Sequence, residues 1–389
     1  MREAVILEAV RTPIGKRGGL LHRLHPVDLL ASLITGLFDR LPIPPEQVDD
    51  FIVGCVDQIG EQGANIARNA WLSAGLPETV PATTVDRQCG SSLQAVHFAA
   101  QGVMSGVYDL VIAAGIESMS RVPLFSNINN EYGTPKTRGI EERYRLRTPW
   151  FSQAAAAEMI ARQWGLTRED LDRFSLESHR RAHRATEEGF LAAEIVPIEV
   201  QQEDGSTTAV TKDEGIRPDT SLEKLLSLPP AFEGLEMITA GNASQLSDGA
   251  SAVVIASPEK ARALELRPRA RFVSFSVVGV NPVLMLTGPI EATRKAVQRA
   301  GLDIQDIDLF EINEAFASVV LVWQKEIGAP WERVNVNGGA IALGHPVGAT
   351  GARLITTLLY ELERRGEKYG LAAICEGGGM ANATIIERI

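Results

Sequence analysis

Four short segments place reactive side chains beside glycine. Asp86-Arg87-Gln88-Cys89-Gly90-Ser91-Ser92 runs into a stretch with Leu93, Val96, Ala100, Val103, Met104 and Val107 at helical spacing. A thiol at a helix N-terminus faces free N–H groups and the positive end of the dipole, so its pKa is expected to fall and thiolate to form. Gly90 leaves room for a carbonyl group to approach. The competing reading of Cys89 is a core cysteine that precedes a helix. Asn337 to Gly351 is rich in glycine and carries one imidazole, His345, fixed before Pro346. It lacks the Gly-Lys-Ser/Thr of a phosphate loop and has no Rossmann spacing. It suits either a base held at a strand-to-helix turn or a plain surface histidine. Ile374-Cys375-Glu376-Gly377-Gly378-Gly379-Met380 joins a second thiol to three glycines, whose N–H groups could receive an oxyanion while the thiolate acts as a base. The competing reading there is a tight turn. Asn313-Glu314-Ala315-Phe316 follows the apolar run Leu309 to Ile312 and puts an amide at a strand end.

These segments sit in a βαβ rhythm. Ala4–Val10, Phe51–Cys55 and Leu110–Ala114 read as buried strands, and Asp28–Leu41 reads as a helix with Leu29, Leu30, Leu33 and Leu37 on one face. Alternation of this kind predicts an α/β layered fold. The rhythm then repeats. Val48 to Val53 resembles Ile307 to Ile312, and Ala250 to Ile255 resembles Ala381 to Ile386. Cys89 follows Val48 at nearly the spacing at which His345 follows Ile307, which predicts matching places in two copies of one unit. Asn313 then matches Gly54. The stretch from Gly115 to Ala250 is long, whereas its counterpart from Cys375 to Ala381 is a short turn. The first copy therefore carries a domain-sized insertion beyond the carboxyl end of the Leu110 strand. Ligands of α/β sheets bind at that end. The expected organisation is a core half from 1–117 and 249–266, an inserted loop domain over 118–248, and a second core half over 267–389. Arg262 to Ala270 reads as the linker, and Ala154 to Ala157 as helix.

Composition narrows the function classes. Of 389 residues, 38 are Lys or Arg and 49 Asp or Glu, a formal charge of -11. This excludes a general attraction to nucleic acid or anionic lipid. No apolar run reaches the length of a membrane span, no signal peptide or organelle address is read at either end, and three scattered cysteines read as cytosolic thiols rather than a disulfide framework. A cytoplasmic location is expected, with Cys55 as inert core. Lys136, Arg138, Arg143, Arg145 and Arg147, against Glu141 and Glu142, form either a patch for a polyanion or a solvated charged loop. His179 and His183 share a helical spacing that could bind metal. The arginines around them favour a solvated face, so no metal is expected.

The Cys-Gly-Ser-Ser, Gly-Asn-Ala-Ser, Asn-Glu-Ala-Phe, Gly-His-Pro and Cys-x-Gly-Gly-Gly-Met elements, in this order from Glu8-Ala9-Val10-Arg11-Thr12-Pro13 to Met380, resemble the thiolase family. The resemblance implies a duplicated five-layered α-β-α-β-α fold with an inserted CoA-binding loop domain. It implies Cys89 as the acyl-accepting nucleophile, His345 as the residue that activates it and helps bind the thioester oxygen, Cys375 as the acid/base, and Asn313 as the residue that holds the oxyanion-hole water with His345. The N–H groups of Cys89 and Gly377 would form the other. Ser244, Arg217, Leu246 and Ala315 are implied at the substrate and CoA site. Coenzyme A and acetyl-CoA are implied as substrates, with no permanent cofactor, and a homodimer or homotetramer as the assembly. Ser92 stands where short-chain biosynthetic members carry glycine, and Ser152-Gln153 where they carry His-Met. The expected activity is therefore cleavage of 3-ketoacyl-CoA to acetyl-CoA and a shortened acyl-CoA. The rival activity is an acetoacetyl-CoA thiolase. Rivals further off are a ketoacyl-carrier-protein synthase and a catalytically silent binding protein.

Overall fold

Buried strands supply the frame. In the computed structural model, which describes residues 2–128, 131–146 and 151–389, the strands Leu110–Ser118 and Ser247–Ala256 are buried along their whole length. Their apolar runs, Leu110–Ile116 and Ala252–Ala256, are what strands covered on both faces require. The first half-sheet runs in the order Ala82–Val85, Asp50–Gly54, Leu110–Ser118, Ser247–Ala256, Val5–Arg11. The second runs Leu309–Ile312, Tyr369–Glu376, Met380–Arg388, Ala270–Gly279. A short antiparallel seam, Val5 to Arg271 and Ile6 to Ala270, hydrogen-bonds one half-sheet to the other. Val334 bridges Phe310 in parallel as Ala82–Val85 does Asp50–Gly54. The repeat read from the sequence is thus a repeat of topology.

Three apolar clusters define the layers. One packs the Pro26–Arg40 and Ile66–Ser73 helices on the outer face of the first half-sheet. Another packs the Gly288–Ala300 and Ala317–Ile327 helices on the outer face of the second. Between the half-sheets lie the Ser91–Ser105 and Thr350–Arg365 helices. Their Val96, Val103, Leu354 and Leu358 share one cluster with Val111 and Ala113 of the first half-sheet and Ala372 and Ile374 of the second. Helices and sheets therefore alternate as α-β-α-β-α. Ser91 follows Val48 at the same spacing as Thr350 follows Ile307, so the two central helices begin at equivalent points of the repeat. Cys89 and His345 are not quite equivalent: the residue matching Cys89 is Gly348, and His345 sits earlier in its loop.

Residues between Ser118 and Ser247 fold over the carboxyl ends of the strands. They form the helices Gln153–Gln163 and Arg168–Glu187 and the hairpin Ile198–Gln201 with Thr207–Val210. Thr167 and Asp170 form a reciprocal capping box that starts the long helix. Ser152 Oγ accepts the Ala155 N–H to start the other. Arg11 fastens this region to the core through buried ion pairs to Glu194 and Asp213, at 2.5 and 2.6 Å. Such a buried cation depends on both partners, because removing one strands a charge in the interior. The expected linker differs slightly, since Arg262 and Ala263 close the helix Pro258–Ala263.

Candidate functional site

Cys89 tops a sharp turn between a strand and a central helix. Gln88 takes a left-handed conformation at φ 49. The turn is closed by Ser91, whose Oγ accepts the Arg87 N–H at 2.9 Å and donates to the Gln88 carbonyl at 2.6 Å. Cys89 is 5% exposed. Burial and then the nearby Glu376 charge push the thiol up to about 12, against the N–H groups of Cys89 and Gly377, which favour the thiolate. The expected fall in pKa is therefore corrected. Desolvation outweighs the helix terminus, because the central layer buries the turn as well as the helix. At rest Cys89 is a neutral thiol that needs a base.

His345 is held as a neutral base. Its Nδ1 lies 2.7 Å from Thr350 Oγ1. The single proton of that hydroxyl goes to the Pro346 carbonyl at 2.9 Å. Nδ1 must therefore be the protonated nitrogen, and Nε2 carries the lone pair. Asn313 Nδ2 is 3.3 Å from Nε2 and donates to it. Burial, with the Arg353 charge, lowers the imidazole pKa to about 3, so the ring is uncharged. Its backbone N–H is tied to the Gln245 carbonyl and Ser247 Oγ, each at 3.2 Å.

Cys375 and Asn313 end adjacent parallel strands, with Ile312 beside Ala373 and the Asn313 N–H donated to the Ala373 carbonyl at 3.0 Å. Asn313 Oδ1 is buried without a partner among the described residues. Beyond Cys375 the chain reverses through Gly378 and Gly379, at φ 79 and 80, a pair of left-handed residues that favours glycine at both positions. The turn presents the Gly377 N–H to Cys89. Burial, first of all, raises the Cys375 thiol well above its usual range, so it too is protonated at rest, and a charge on Cys89 raises it further.

Packing of the two central helices brings these pieces together. Ser92 Oγ accepts the Ala352 N–H at 3.0 Å, and a Cβ on Gly351 would overlap Leu93 N, so the two helix starts touch. The structure thus gathers Cys89, Cys375 and Gly377 at one turn pair and Asn313 with His345 next to it. Ser244 lies alongside, its N–H donated to the Ala315 carbonyl at 2.9 Å. Ala315 is buried, and Leu246 is 37% exposed at the rim. Arg217 is exposed, and its N–H is donated to His179 Nδ1 at 3.2 Å. That contact corrects the reading of His179 as solvated: the Arg217 loop folds over it, leaving it 3% exposed, while His183 faces solvent. Among the described residues no three His, Cys, Asp or Glu side chains gather to hold a metal. In the basic stretch Lys136 pairs with Glu141 and Arg138 with Glu142; Arg147 lies outside the described residues. Cys55 is fully buried and protonated by desolvation first and the Glu117 charge second.

Sequence reasoning gave no role to Thr350, Gln245 or Glu376. Thr350 was discoverable as a hydroxyl one helical turn beyond the Pro346 carbonyl. Gln245 and Glu376 carry no local signal, since the groups they meet, Gly215 and Ile341 for one and Gly90 for the other, lie far along the chain. Gln153, singled out as a departure, stands near the Gly377 turn, where its Nε2 would lie 3.5 Å from a Cβ at Gly377.

Comparison with known proteins agrees with this geometry. The family models for the thiolase N-terminal domain and the thiolase C-terminal domain match residues 4–259 and 266–388. A steroid 3-ketoacyl-CoA thiolase of Mycobacterium tuberculosis is 52% identical over all of this chain and 95% of its own. A 3-ketoacyl-CoA thiolase of Bacillus subtilis is 44% identical with both chains fully covered. So is a 3-oxoadipyl-CoA/3-oxo-5,6-dehydrosuberyl-CoA thiolase of Escherichia coli, again at 44%. The crystal structure of the Bacillus anthracis acetyl-CoA acetyltransferase superimposes with a TM-score of 0.92 at 40% identity, covering 100% of this chain and 99% of the other.

Proposed function

This chain belongs to the thiolase family, and on that premise we propose that it cleaves 3-ketoacyl-CoA with coenzyme A, through an acyl group carried on Cys89. The proton economy of the site carries this reading. Two buried thiols are protonated at rest, and one neutral imidazole presents a lone pair. Neither Cys89 nor His345 is stable charged alone in that interior. Proton transfer from sulfur to Nε2 makes both charges at once, and their attraction offsets the desolvation.

The Cys89 sulfur then attacks the 3-keto carbon. As that carbonyl re-forms, the bond between C2 and C3 breaks. The acyl group stays on sulfur and the electron pair leaves on the acetyl-CoA enolate. The N–H groups of Cys89 and Gly377 receive the oxyanion on the acyl carbon. His345, now protonated at Nε2, and Asn313 receive the enolate oxygen. Cys375 gives its proton to C2, completing acetyl-CoA. The thiol of an incoming coenzyme A gives its proton to the Cys375 thiolate and attacks the acyl carbon; the bond to Cys89 breaks, the Cys89 thiolate takes back the proton from His345 Nε2, and the shortened acyl-CoA leaves. A thiolate serves because it is both a strong nucleophile and a good leaving group.

The same reading assigns residues 118–248 as the loop domain over coenzyme A, with Ser244, Leu246 and Ala315 along its channel and Arg217 toward its nucleotide end, and takes 1–117 with 249–266 and 267–389 as the core halves. Coenzyme A is substrate, and no resident cofactor is assigned. A homodimer or homotetramer in the cytoplasm completes it. Among the described residues no helix is long and apolar enough to cross a membrane. Full-length relatives named for steroid and 3-oxoadipyl substrates support a broad acyl pocket. Thiolysis rates compared across acetoacetyl-CoA and longer or ring-bearing 3-ketoacyl-CoAs test this. The larger substrates are expected to give the higher kcat/KM, and a strict preference for the four-carbon substrate would overturn it. Thr350→Val tests the imidazole. It removes the acceptor of Nδ1–H, frees the ring to take the other tautomer, and is expected to slow acylation of Cys89 about tenfold to a hundredfold. An unchanged single-turnover acylation rate would remove the base from His345.

A further inference from the structure

At the end of the Tyr369–Glu376 strand, successive side chains go to opposite faces. Cys375 joins Ala373 in the outer cluster of the second half-sheet. Glu376 shares a face with Ile374 and Ala372, which pack in the central layer with Cys89. There Glu376 is 0% exposed, and its carboxyl group fills the space on the Gly90 side of the nucleophile turn, where any Cβ on Gly90 would overlap it. Neither of its oxygens has a hydrogen-bond partner among the described residues. Arg87 faces it from the turn, yet among the described residues no ion pair joins them, and Arg87 Nε is itself buried without a partner there. Resting on the thiolase reading above, we propose that Glu376 is a positioning residue for acyl transfer: an uncharged carboxyl group that braces the Cys89 turn, and whose ionisation opposes the Cys89 thiolate.

The charges around it support a neutral group. Asp86 on the turn adds negative charge, and His97 on the central helix is uncharged. Cys89 and Cys375 are protonated at rest and become less acidic when Glu376 is charged. Glu117 acts on Cys89 in the same sense. Arg87 alone opposes, and burial of a carboxylate with no donor prevails over it, raising the Glu376 carboxyl well above its usual range. The sign follows. While Glu376 holds its proton, the thiolate forms against no charge from this side. Once Glu376 ionises, the next rise in pH yields less thiolate than it otherwise would.

Two variants and two readouts test this. Cys89 labelling by iodoacetamide, followed by mass spectrometry as a function of pH, needs no substrate and stands or falls apart from the thiolase assignment. In the unsubstituted protein the labelling rate should flatten toward alkaline pH. In Glu376→Gln, which keeps shape and cannot ionise, it should go on rising and end about tenfold faster. Glu376→Ala removes the brace and should slow single-turnover acylation about tenfold, with Glu376→Gln restoring the rate. Superimposable labelling profiles for Glu376→Gln and the unsubstituted protein would overturn the proposal. So would Glu376→Gln acylating as slowly as Glu376→Ala. If Glu376→Ala fails to fold, the labelling profile of Glu376→Gln decides alone.

Discussion

Cys89→Ala is expected to form no acyl-enzyme and to cut thiolysis by about 10⁴-fold or more, the scale of losing a covalent nucleophile. The loss should be this large because nothing nearby among the described residues can replace the sulfur. Cys375, the other thiol, is kept protonated by its burial even without the Cys89 charge, so it offers a proton and not a nucleophile. The hydroxyls of Ser91 and Ser92 are already engaged, with the Arg87 N–H and Gln88 carbonyl and with the Ala352 N–H. The oxyanion donors and His345 remain in the variant, so substrate should still bind. The measurement is intact-protein mass spectrometry after mixing with a 3-ketoacyl-CoA and acid quenching. The unsubstituted chain should gain one acyl group, mapped to Cys89, and the variant none. A persisting covalent adduct in Cys89→Ala would place the nucleophile elsewhere and overturn the mechanism.

What could be read in the sequence follows the range of the interaction concerned. Apolar runs gave the strands, because the central strands are covered on both faces and their residues need no distant partner to be recognised as buried. The duplication was legible because topology fixes spacing: both central helices start equally far beyond matched positions, Val48 and Ile307. The same spacing argument misjudged the equivalence of Cys89 and His345, since a loop can lengthen on one side of a residue and shorten on the other without moving the helix behind it. Asn313 was legible as an amide at a strand end where the other copy has Gly54. Acidity was not legible. The Cys89 thiol is governed by the depth of the central layer and by Glu376, which lies near the opposite end of the chain, and a helix terminus read locally gives the opposite sign. His179 failed for the same reason, since only the fold shows the Arg217 loop lying across it. Thr350 falls between these cases. Its hydroxyl fixes the tautomer of His345 only because the Pro346 carbonyl takes its proton, and that is a statement about two bonds at once.

Cys375→Ala should divide the reaction where Cys89→Ala abolishes it. The variant keeps the Cys89 turn, the Gly377 N–H and the His345 base, so transfer of an acyl group from acyl-CoA to Cys89 should survive. What it lacks is the thiol proton placed to pass between the protein and C2 of acetyl-CoA. Overall thiolysis is expected to fall about 10²- to 10⁴-fold, the usual contribution of a positioned general acid or base. Exchange of the acetyl-CoA methyl protons with solvent deuterium should disappear with it. The two readouts separate a chemical role from a packing one. Deleting a buried sulfur leaves a small cavity behind the Gly377 turn, and a packing defect of that kind would disturb acylation and exchange together. Loss of exchange with acylation retained therefore identifies Cys375 as the proton carrier. The same direction follows from its environment: burial first of all keeps the thiol protonated, so it stands ready as an acid for the enolate, and the thiolate it leaves behind is the base for the next thiol. Exchange that survives Cys375→Ala would assign the proton to another group, and His345, the other base beside the enolate oxygen, would be the next to test.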